Sequence, residues 1–203
     1  MSNNDINYNF VMKTPHPWVN FKDDKTYLGL FHSEILNQII YARIAIEYIE
    51  NAKGEYSHHL FFGIQGLLCS LANISKLLND KHRIGKDKDR AKKRAKKILH
   101  DFQIDVSKIS LILNRNLRNT NEHYDERLDE FVEKFPTHLY LDSISAPGID
   151  AKGHPFKIGR FYNNKTKTVQ FMDSTITKID DLDIDKVKDE LRYLENQLKE
   201  SKK

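Results

Sequence analysis

A run of polar residues in the middle of the chain contains the side chains best suited to chemistry. Positions 114–127 read Asn-Arg-Asn-Leu-Arg-Asn-Thr-Asn-Glu-His-Tyr-Asp-Glu-Arg. Arginine binds phosphates and carboxylates through paired hydrogen bonds, and histidine exchanges protons near neutral pH. Asparagines are mediocre helix formers, yet several of them fall here within a helical pattern. Because a sequence selected only for helix stability would use Ala, Leu, Glu and Lys, these identities favour a function.

The element that carries this run determines which way its side chains point. Apolar residues at three- and four-residue spacing predict one long helix, which begins after Asp105 as N-cap and ends before Pro136. With 100° per residue and zero at the centre of the apolar stripe, Arg118 lies at about 125°, Asn119 at about 225° and His123 at about 265°. Arg118 and His123 therefore flank the face turned away from the helix's own core. A pocket on such a face needs walls from another helix or a second subunit.

The segment Arg118-Asn119-Thr120-Asn121-Glu122-His123 resembles a known motif. It is similar to the Arg-x(4–6)-His motif of the HEPN superfamily (higher eukaryotes and prokaryotes nucleotide-binding), in which a polar Asn often follows the Arg. The predicted architecture of residues 27–136 also resembles that family. The resemblance implies a homodimer in which two motifs face each other and form one RNA-cleaving site. It also implies a toxin or phage-defence setting, with a cognate antitoxin or regulatory protein as a candidate partner.

The resemblance implies a role for each residue of the motif. Cleavage of RNA by its own 2′-hydroxyl needs proton transfer and stabilisation of a more negative phosphorane. We expect His123 to transfer the proton and Arg118 to bind the phosphate. Asn119 would orient either group or the scissile phosphate, and Glu122 is a supporting candidate. This chemistry requires no cofactor and no metal ion.

Other interpretations of the same residues stay open. Arg118 could pair with Glu122 one helical turn away, and His123 could be an ordinary surface or interface histidine. The chain would then be a structural helical protein. A further alternative is a non-catalytic HEPN-like module that binds RNA, a nucleotide or a protein partner. Dimerisation through the helix that carries the motif separates the HEPN-like hypotheses from the structural one, and RNA cleavage separates the enzyme from the binding module.

A strongly basic segment precedes the polar run. From Lys81 to Lys97 the chain has ten Lys or Arg and two Asp, a net charge of +8, whereas the rest of the chain carries −4. Such a cluster can bind phosphates by releasing counterions, or it can be a solvated helix face. No aromatic residue interrupts it, so it does not predict base stacking. The residues expected to contact RNA are Arg90, Lys93, Arg94, Lys97 and Arg115.

The apolar pattern predicts a mainly α fold, an antiparallel four-helix bundle with a small C-terminal β-hairpin and terminal helix. The resemblance implies that this bundle is HEPN-like. Apolar stripes predict helices over about 28–54, 60–79, 91–102 and 105–135. After Pro136 the period changes to two. A turn at 163–166 then predicts a hairpin between strands near 156–158 and 169–171, with a third strand near 139–141, and a last stripe at 187–198 predicts the terminal helix. We expect residues 1–136 to form an N-terminal arm plus the bundle, and residues 137–203 to form an appendage.

Composition limits the other classes of function. The chain has 203 residues, of which 39% are hydrophobic, 31% are charged and one is a cysteine, Cys69. A single cysteine excludes an intramolecular disulfide and an all-Cys metal site. The polar start lacks an apolar signal segment, and polar residues interrupt the apolar stretch from Leu60 to Leu78. These features predict a cytoplasmic protein without a membrane span.

Two short patterns suggest metal sites but do not complete one. Asp181, Asp183 and Asp185 have the spacing that opens a calcium loop, but Lys186 stands where that loop needs Gly. These aspartates are better suited to capping the last helix. The adjacent pair at 58–59, His-His, would point in different directions on a helix, which favours a surface or core-edge role.

Overall fold

The computed structural model describes residues 24–52, 58–79, 86–114, 124–134, 140–141, 144–146, 157–158, 160–172 and 179–200. Over these residues the protein is mainly helical with a small β-sheet near the C-terminus, as the sequence predicts. The described helices are α1 (Asp24–Asn51), α2 (His58–Leu78), α3 (Lys86–Asp101), α4 (Tyr124–Lys134) and α5 (Ile184–Glu200). The described strands are β1 (Tyr140–Leu141), β2 (Ile144–Ala146), β3 (Lys157–Ile158), β4 (Arg160–Asn163), β5 (Thr168–Met172) and β6 (Ile179–Asp183).

Helices α1 and α2 form the centre of the core, and their apolar stripes are the ones the sequence predicts. The buried stripe residues include Ile35, Ile39, Ile46, Leu60, Ile64, Leu67, Leu71 and Ile74. The two helices approach closely at Gly63, where an added Cβ would lie 2.8 Å from the carbonyl oxygen of Ala45. Among the described residues, α2 is the one helix long and apolar enough to cross a membrane, and 61% of its apolar window is buried inside the protein.

Helix α3 packs through its small apolar face. Ala91, Ala95 and Ile98 are buried, and α3 contacts α2. Just beyond the helix, the ring of Phe102 stacks on buried His32 of α1, with 5.3 Å between the ring centroids. The basic residues of α3 are thereby left on its remaining faces.

The prediction of one continuous helix over 105–135 is wrong at its N-terminal end. Asp105 does cap a helix, but only the four-residue 3-10 turn Val106–Ile109, and a further turn follows to residue 113. The carboxylate of Glu190 accepts hydrogen bonds from the backbone N–H groups of Leu111 (3.0 Å) and Ile112 (2.9 Å). In an α-helix those two groups would donate to carbonyls four residues earlier, so Glu190 competes with continuation of the helix. Residues 115–123 lie outside the described residues, and α4 covers the C-terminal part of the predicted helix.

The predicted hairpin is confirmed, with its first strand displaced. β4 and β5 pair antiparallel with Arg160 opposite Phe171. Between them, the side-chain oxygen of Asn163 accepts hydrogen bonds from the N–H groups of Lys165 (3.1 Å) and Thr166 (3.2 Å), a side-chain-stabilised turn.

The sheet extends on both sides of this hairpin. Its strand order is β2-β4-β5-β6, in which β2 lies parallel to β4 and β6 lies antiparallel to β5. The segment 157–158, expected as the hairpin's first strand, instead pairs with 140–141 in a separate parallel ladder. The sequence missed β6 because its aspartates are poor strand formers.

Helix α5 lies against the helical core. Val187, Leu191, Leu194 and Leu198 are fully buried and belong to the same apolar cluster as α1 and α2. The ring nitrogen Nε2 of His32 on α1 lies 3.0 Å from the carbonyl oxygen of Leu198. This helix therefore shares the core of the expected bundle, while the division of the chain at residue 136 stays a prediction.

Candidate functional site

The predicted catalytic residues fall between two described segments. Arg118, Asn119, Glu122 and His123, together with Arg115, lie outside the described residues. The structure describes the chain on both sides of the motif, up to residue 114 and from residue 124.

The upstream flank is anchored to α5. Glu190 binds the N–H groups of residues 111 and 112, and the hydroxyl of Ser110 donates to the same carboxylate at 3.3 Å. The hydroxyl oxygen of Tyr193 accepts a hydrogen bond from the N–H of Asp105 at 2.8 Å. The ammonium of Lys108 lies 5.2 Å from the centre of the Tyr193 ring. These contacts attach residues 105–112 to one helix of the core.

Residues 106–113, which α5 holds in place, form turns where the sequence predicts an α-helix. This difference bears on the helix face predicted for Arg118 and His123. The angular positions predicted for Arg118 and His123 assume one helix in register with residues 106–113. Since those residues form a 3-10 turn and a further turn, that register does not carry through. Val106, an apolar residue in the first turn of the predicted helix, is 48% exposed, whereas Ile112 is buried.

The downstream flank is helix α4. Phe131 is buried as the predicted stripe requires, while Val132 is 65% exposed. The acidic residues Asp125 and Glu126 are exposed in its first turn, where negative charge complements the helix dipole. Within the described residues, the ion pair of this helix joins Lys134 to Glu130 at 2.6 Å.

The predicted RNA contacts on α3 differ in their surroundings. Arg90 and Lys93 are exposed. Lys97 lies 3.3 Å from Asp101 in an ion pair one turn along the helix. Arg94 is half-buried, and its guanidinium donates hydrogen bonds to the carbonyl oxygens of Lys76 (2.9 Å) and Leu77 (3.4 Å) at the end of α2. Arg94 therefore has a structural role as a cap of α2.

Further cations of α3 were not among the predicted contacts. Lys88, Lys92 and Lys96 are exposed and follow one another at four-residue intervals. The sequence is sufficient to identify them, because they lie away from the apolar stripe of Ala91, Ala95 and Ile98. Their four-residue spacing places them in one row along the helix.

A groove of about 350 Å³ lies between α1 and α5. Among its lining residues, Lys188 of α5 pairs with Glu50 of α1, and Arg43 of α1 pairs with Glu195 of α5. Burial alone would raise the pKa of Glu195. Hydrogen bonds from Arg43 and Lys199, with their positive charges, outweigh that effect and hold the pKa below its ordinary value. These paired charges join the two helices.

The described residues offer no cluster of His, Cys, Asp or Glu side chains able to hold a metal ion. Of the patterns considered from sequence, His59 is exposed and stacks on Tyr48, with 6.1 Å between the rings. The side chain of Asp183 accepts a hydrogen bond from the N–H of Lys186 at 3.1 Å, so it caps α5 as predicted. Cys69 is exposed on α2.

Comparisons with protein-family models, curated proteins and solved structures give no match for this chain.

Proposed function

We propose that the chain is a metal-independent endoribonuclease of HEPN type, which acts as a homodimer. The single observation that carries the proposal is the motif Arg118-Asn119-Thr120-Asn121-Glu122-His123. On this proposal, α1, α2, α3 and the helix that carries the motif correspond to a four-helix bundle. The motifs of two copies face each other in one cleavage site, in the cytoplasm.

The proposed reaction is a transesterification within the RNA strand. The 2′-oxygen forms a bond to the adjacent phosphorus, and the bond from that phosphorus to the 5′-oxygen of the next nucleotide breaks. The 2′-hydroxyl loses its proton, and the leaving 5′-oxygen gains one. His123 transfers protons, and Arg118 stabilises the charge on the phosphorane through paired hydrogen bonds. Asn119 orients the phosphate, and Glu122 supports the arrangement.

Three features of the described residues support this proposal. α1 and α2 are long and packed along their lengths, as a helical bundle requires. The segment before the motif is fixed to the core by Glu190, which limits the freedom of the chain that enters the site. The exposed cations of α3 provide positive charge for an RNA substrate.

The test is cleavage of total RNA by purified protein in EDTA. We expect the wild type to cleave, and Arg118→Ala and His123→Ala to lose at least about a hundredfold in rate. A general acid–base group contributes a factor of about 10²–10⁴ to the rate, and a donor that stabilises transition-state charge contributes about 10²–10³. Matched controls are His100→Ala, whose side chain is 85% exposed, and Arg192→Ala, whose side chain is 64% exposed. Both controls should keep the wild-type rate.

Each outcome of that test separates the candidate functions. Cleavage that survives His123→Ala in a folded dimer would refute the assigned site. A dimer that binds RNA without cleaving it would favour the non-catalytic HEPN-like module, for which the exposed cations of α3 are the specific observation. A monomer that does neither would favour the structural interpretation.

A further inference from the structure

Helix α3 presents a group of cations to solvent, which we call the α3 outer face: Lys88, Arg90, Lys92, Lys93 and Lys96. All five side chains are exposed. Within the part of the chain that the structure describes, their ammonium and guanidinium groups join no ion pair, unlike Lys97, which pairs with Asp101. The direction of the face is fixed, because Ala91, Ala95 and Ile98 on the opposite side are buried.

The cations of this face form two rows. At 100° per residue from the centre of the buried stripe, Lys92 and Lys96 lie at about 95° and 135°, and Lys93 and Arg90 lie at about 195° and 255°. Lys88 extends the first row, which then spans about 12 Å at 1.5 Å per residue. On a helix about 10–12 Å wide with its side chains, the two rows stand roughly 10 Å apart. They can therefore reach phosphates on both strands that border one groove.

We propose that the α3 outer face binds the sugar–phosphate backbone of an RNA duplex, a helical stem of the substrate. The choice of RNA rests on the proposed function. The preference for a duplex rests on the two rows, since a single strand offers one line of phosphates. The face also lacks any aromatic side chain, and binding of single strands depends on stacking worth about 1–3 kcal/mol per base.

Lysine dominates the face, which determines the kind of recognition. Lysine presents a mobile point charge, whereas reading of base edges uses the fixed forks of Arg, Asn or Gln. The contacts should therefore be to phosphates and independent of sequence. On the proposed function, the face would hold the stem and the motif at 118–123 would carry out the cleavage.

A lipid surface is the other polyanion that could attract such a helix. Stable binding of an amphipathic helix to a membrane requires its apolar face to enter the bilayer. The apolar face of α3 is small and already buried in the protein core. The observations therefore favour a nucleic acid.

The experiment measures binding in the full-length His123→Ala protein, which prevents cleavage, by fluorescence anisotropy in EDTA. The probes are a short RNA duplex, its two separated strands, a DNA duplex of the same sequence and vesicles that contain anionic lipid. We expect the RNA duplex to bind at least about tenfold more tightly than either strand. The logarithm of its affinity should fall linearly with the logarithm of salt concentration, by about 0.7–0.9 per phosphate contact.

The matched variants each remove three positive charges. Lys92→Gln/Lys93→Gln/Lys96→Gln should weaken duplex binding at least about tenfold and reduce the salt slope by about two to three. Lys134→Gln/Lys165→Gln/Lys186→Gln, on other exposed positions, should change neither quantity appreciably. Circular dichroism is the control that tests whether both triple variants remain folded.

Several results would overturn the inference. These are equal or tighter binding of the separated strands, an equal loss in the control variant, a preference for the DNA duplex, or binding to vesicles without binding to RNA. Failure here is distinguishable from failure of the proposed function. A protein that binds duplexes through α3 but never cleaves RNA refutes only the enzyme, and one that cleaves RNA without using α3 refutes only this inference.

Discussion

Arg90 and Arg94 stand one turn apart on the same helix, yet the structure gives them different roles. Arg90 is exposed to solvent. Arg94 binds the last carbonyl oxygens of α2, and its guanidinium lies 5.2 Å from the centre of the Phe31 ring. The basic segment from Lys81 to Lys97 predicts both as RNA contacts. The difference arises from the position of the α2 C-terminus, which no local pattern on α3 reveals.

This difference predicts opposite consequences for stability. Arg94→Ala would leave two carbonyl groups without that donor and remove the cation–π contact, so we expect a loss of about 1–3 kcal/mol in the free energy of unfolding. Arg90→Ala should change it by less than about 0.5 kcal/mol. Urea denaturation measures both values. Equal stabilities of the two variants would contradict the capping role.

Glu195 makes stability depend on pH in the acid range. Because its pKa lies below the ordinary 4.5 in the folded protein, its stabilising contribution is present above that value and is lost as pH falls through the folded pKa. We expect wild type to exceed Glu195→Gln in urea midpoint at pH 7, and the gap to close well below pH 4.5. Glu200→Gln, at an exposed position of the same helix, is the control and should leave the urea midpoint at pH 7 nearly unchanged. A gap that persists or widens in acid would show that the carboxylate is not held ionised by Arg43 and Lys199.

At the scale of elements, the amphipathic helices were predictable and the breaks between them were not. α1, α2, α3 and α5 follow stripes that any helix must bury, so spacing alone located them. The segment after Asp105 has the same kind of stripe, yet Glu190 takes up two of its N–H groups from about 80 positions away in sequence. The spacing of apolar residues near 106–113 cannot reveal that Glu190, distant in sequence, accepts these hydrogen bonds. Because residues 106–113 therefore do not form an α-helix, they do not set the helical register predicted for Arg118 and His123.

The packing of α1 on α2 predicts opposite effects for a Gly-to-Ala substitution at Gly63 and at Gly29. Alanine normally stabilises a helix by about 1 kcal/mol relative to glycine. At Gly63 an added Cβ would meet the carbonyl oxygen of Ala45 at 2.8 Å and side-chain carbons of Tyr48 and Ile49 at 3.0 Å. At Gly29 it would meet nothing within 4 Å.

We therefore expect Gly63→Ala to lower the free energy of unfolding by about 1–3 kcal/mol, and Gly29→Ala to raise it by about 0.5–1 kcal/mol. Thermal unfolding followed by circular dichroism compares the two variants directly. If Gly63→Ala were as stable as Gly29→Ala, the close approach of α1 and α2 would be wrong.

At the scale of the whole molecule, the C-terminal helix belongs to the same core as the N-terminal helices. Leu194 on α5 is fully buried in a cluster that also contains Ile46 and Leu67. The sequence predicted α5 but gave no sign of what it would pack against, because an apolar stripe specifies a buried face and not a partner. We therefore expect the described helices to unfold together as one cooperative unit.

Unfolding experiments test whether the described helices unfold cooperatively. We expect a single unfolding transition, with near- and far-ultraviolet circular dichroism changing together. Leu194→Ala should shift the whole transition by about 2–5 kcal/mol, whereas the exposed Val132→Ala should shift it by less than about 0.5 kcal/mol. Two separate transitions, with only one sensitive to Leu194, would mean that α5 unfolds with an independent appendage.

The central claim concerns the chemistry of the motif at 118–123, and the most direct measurement is the structure of the ends that cleavage creates. Attack by the 2′-hydroxyl must leave a 2′,3′-cyclic phosphate on one fragment and a 5′-hydroxyl on the other. We therefore expect those ends in EDTA, and no cleavage where a single 2′-deoxynucleotide replaces the attacking residue. Products with 5′-phosphate ends, cleavage of the 2′-deoxy substrate or a strict requirement for a metal ion would contradict the account.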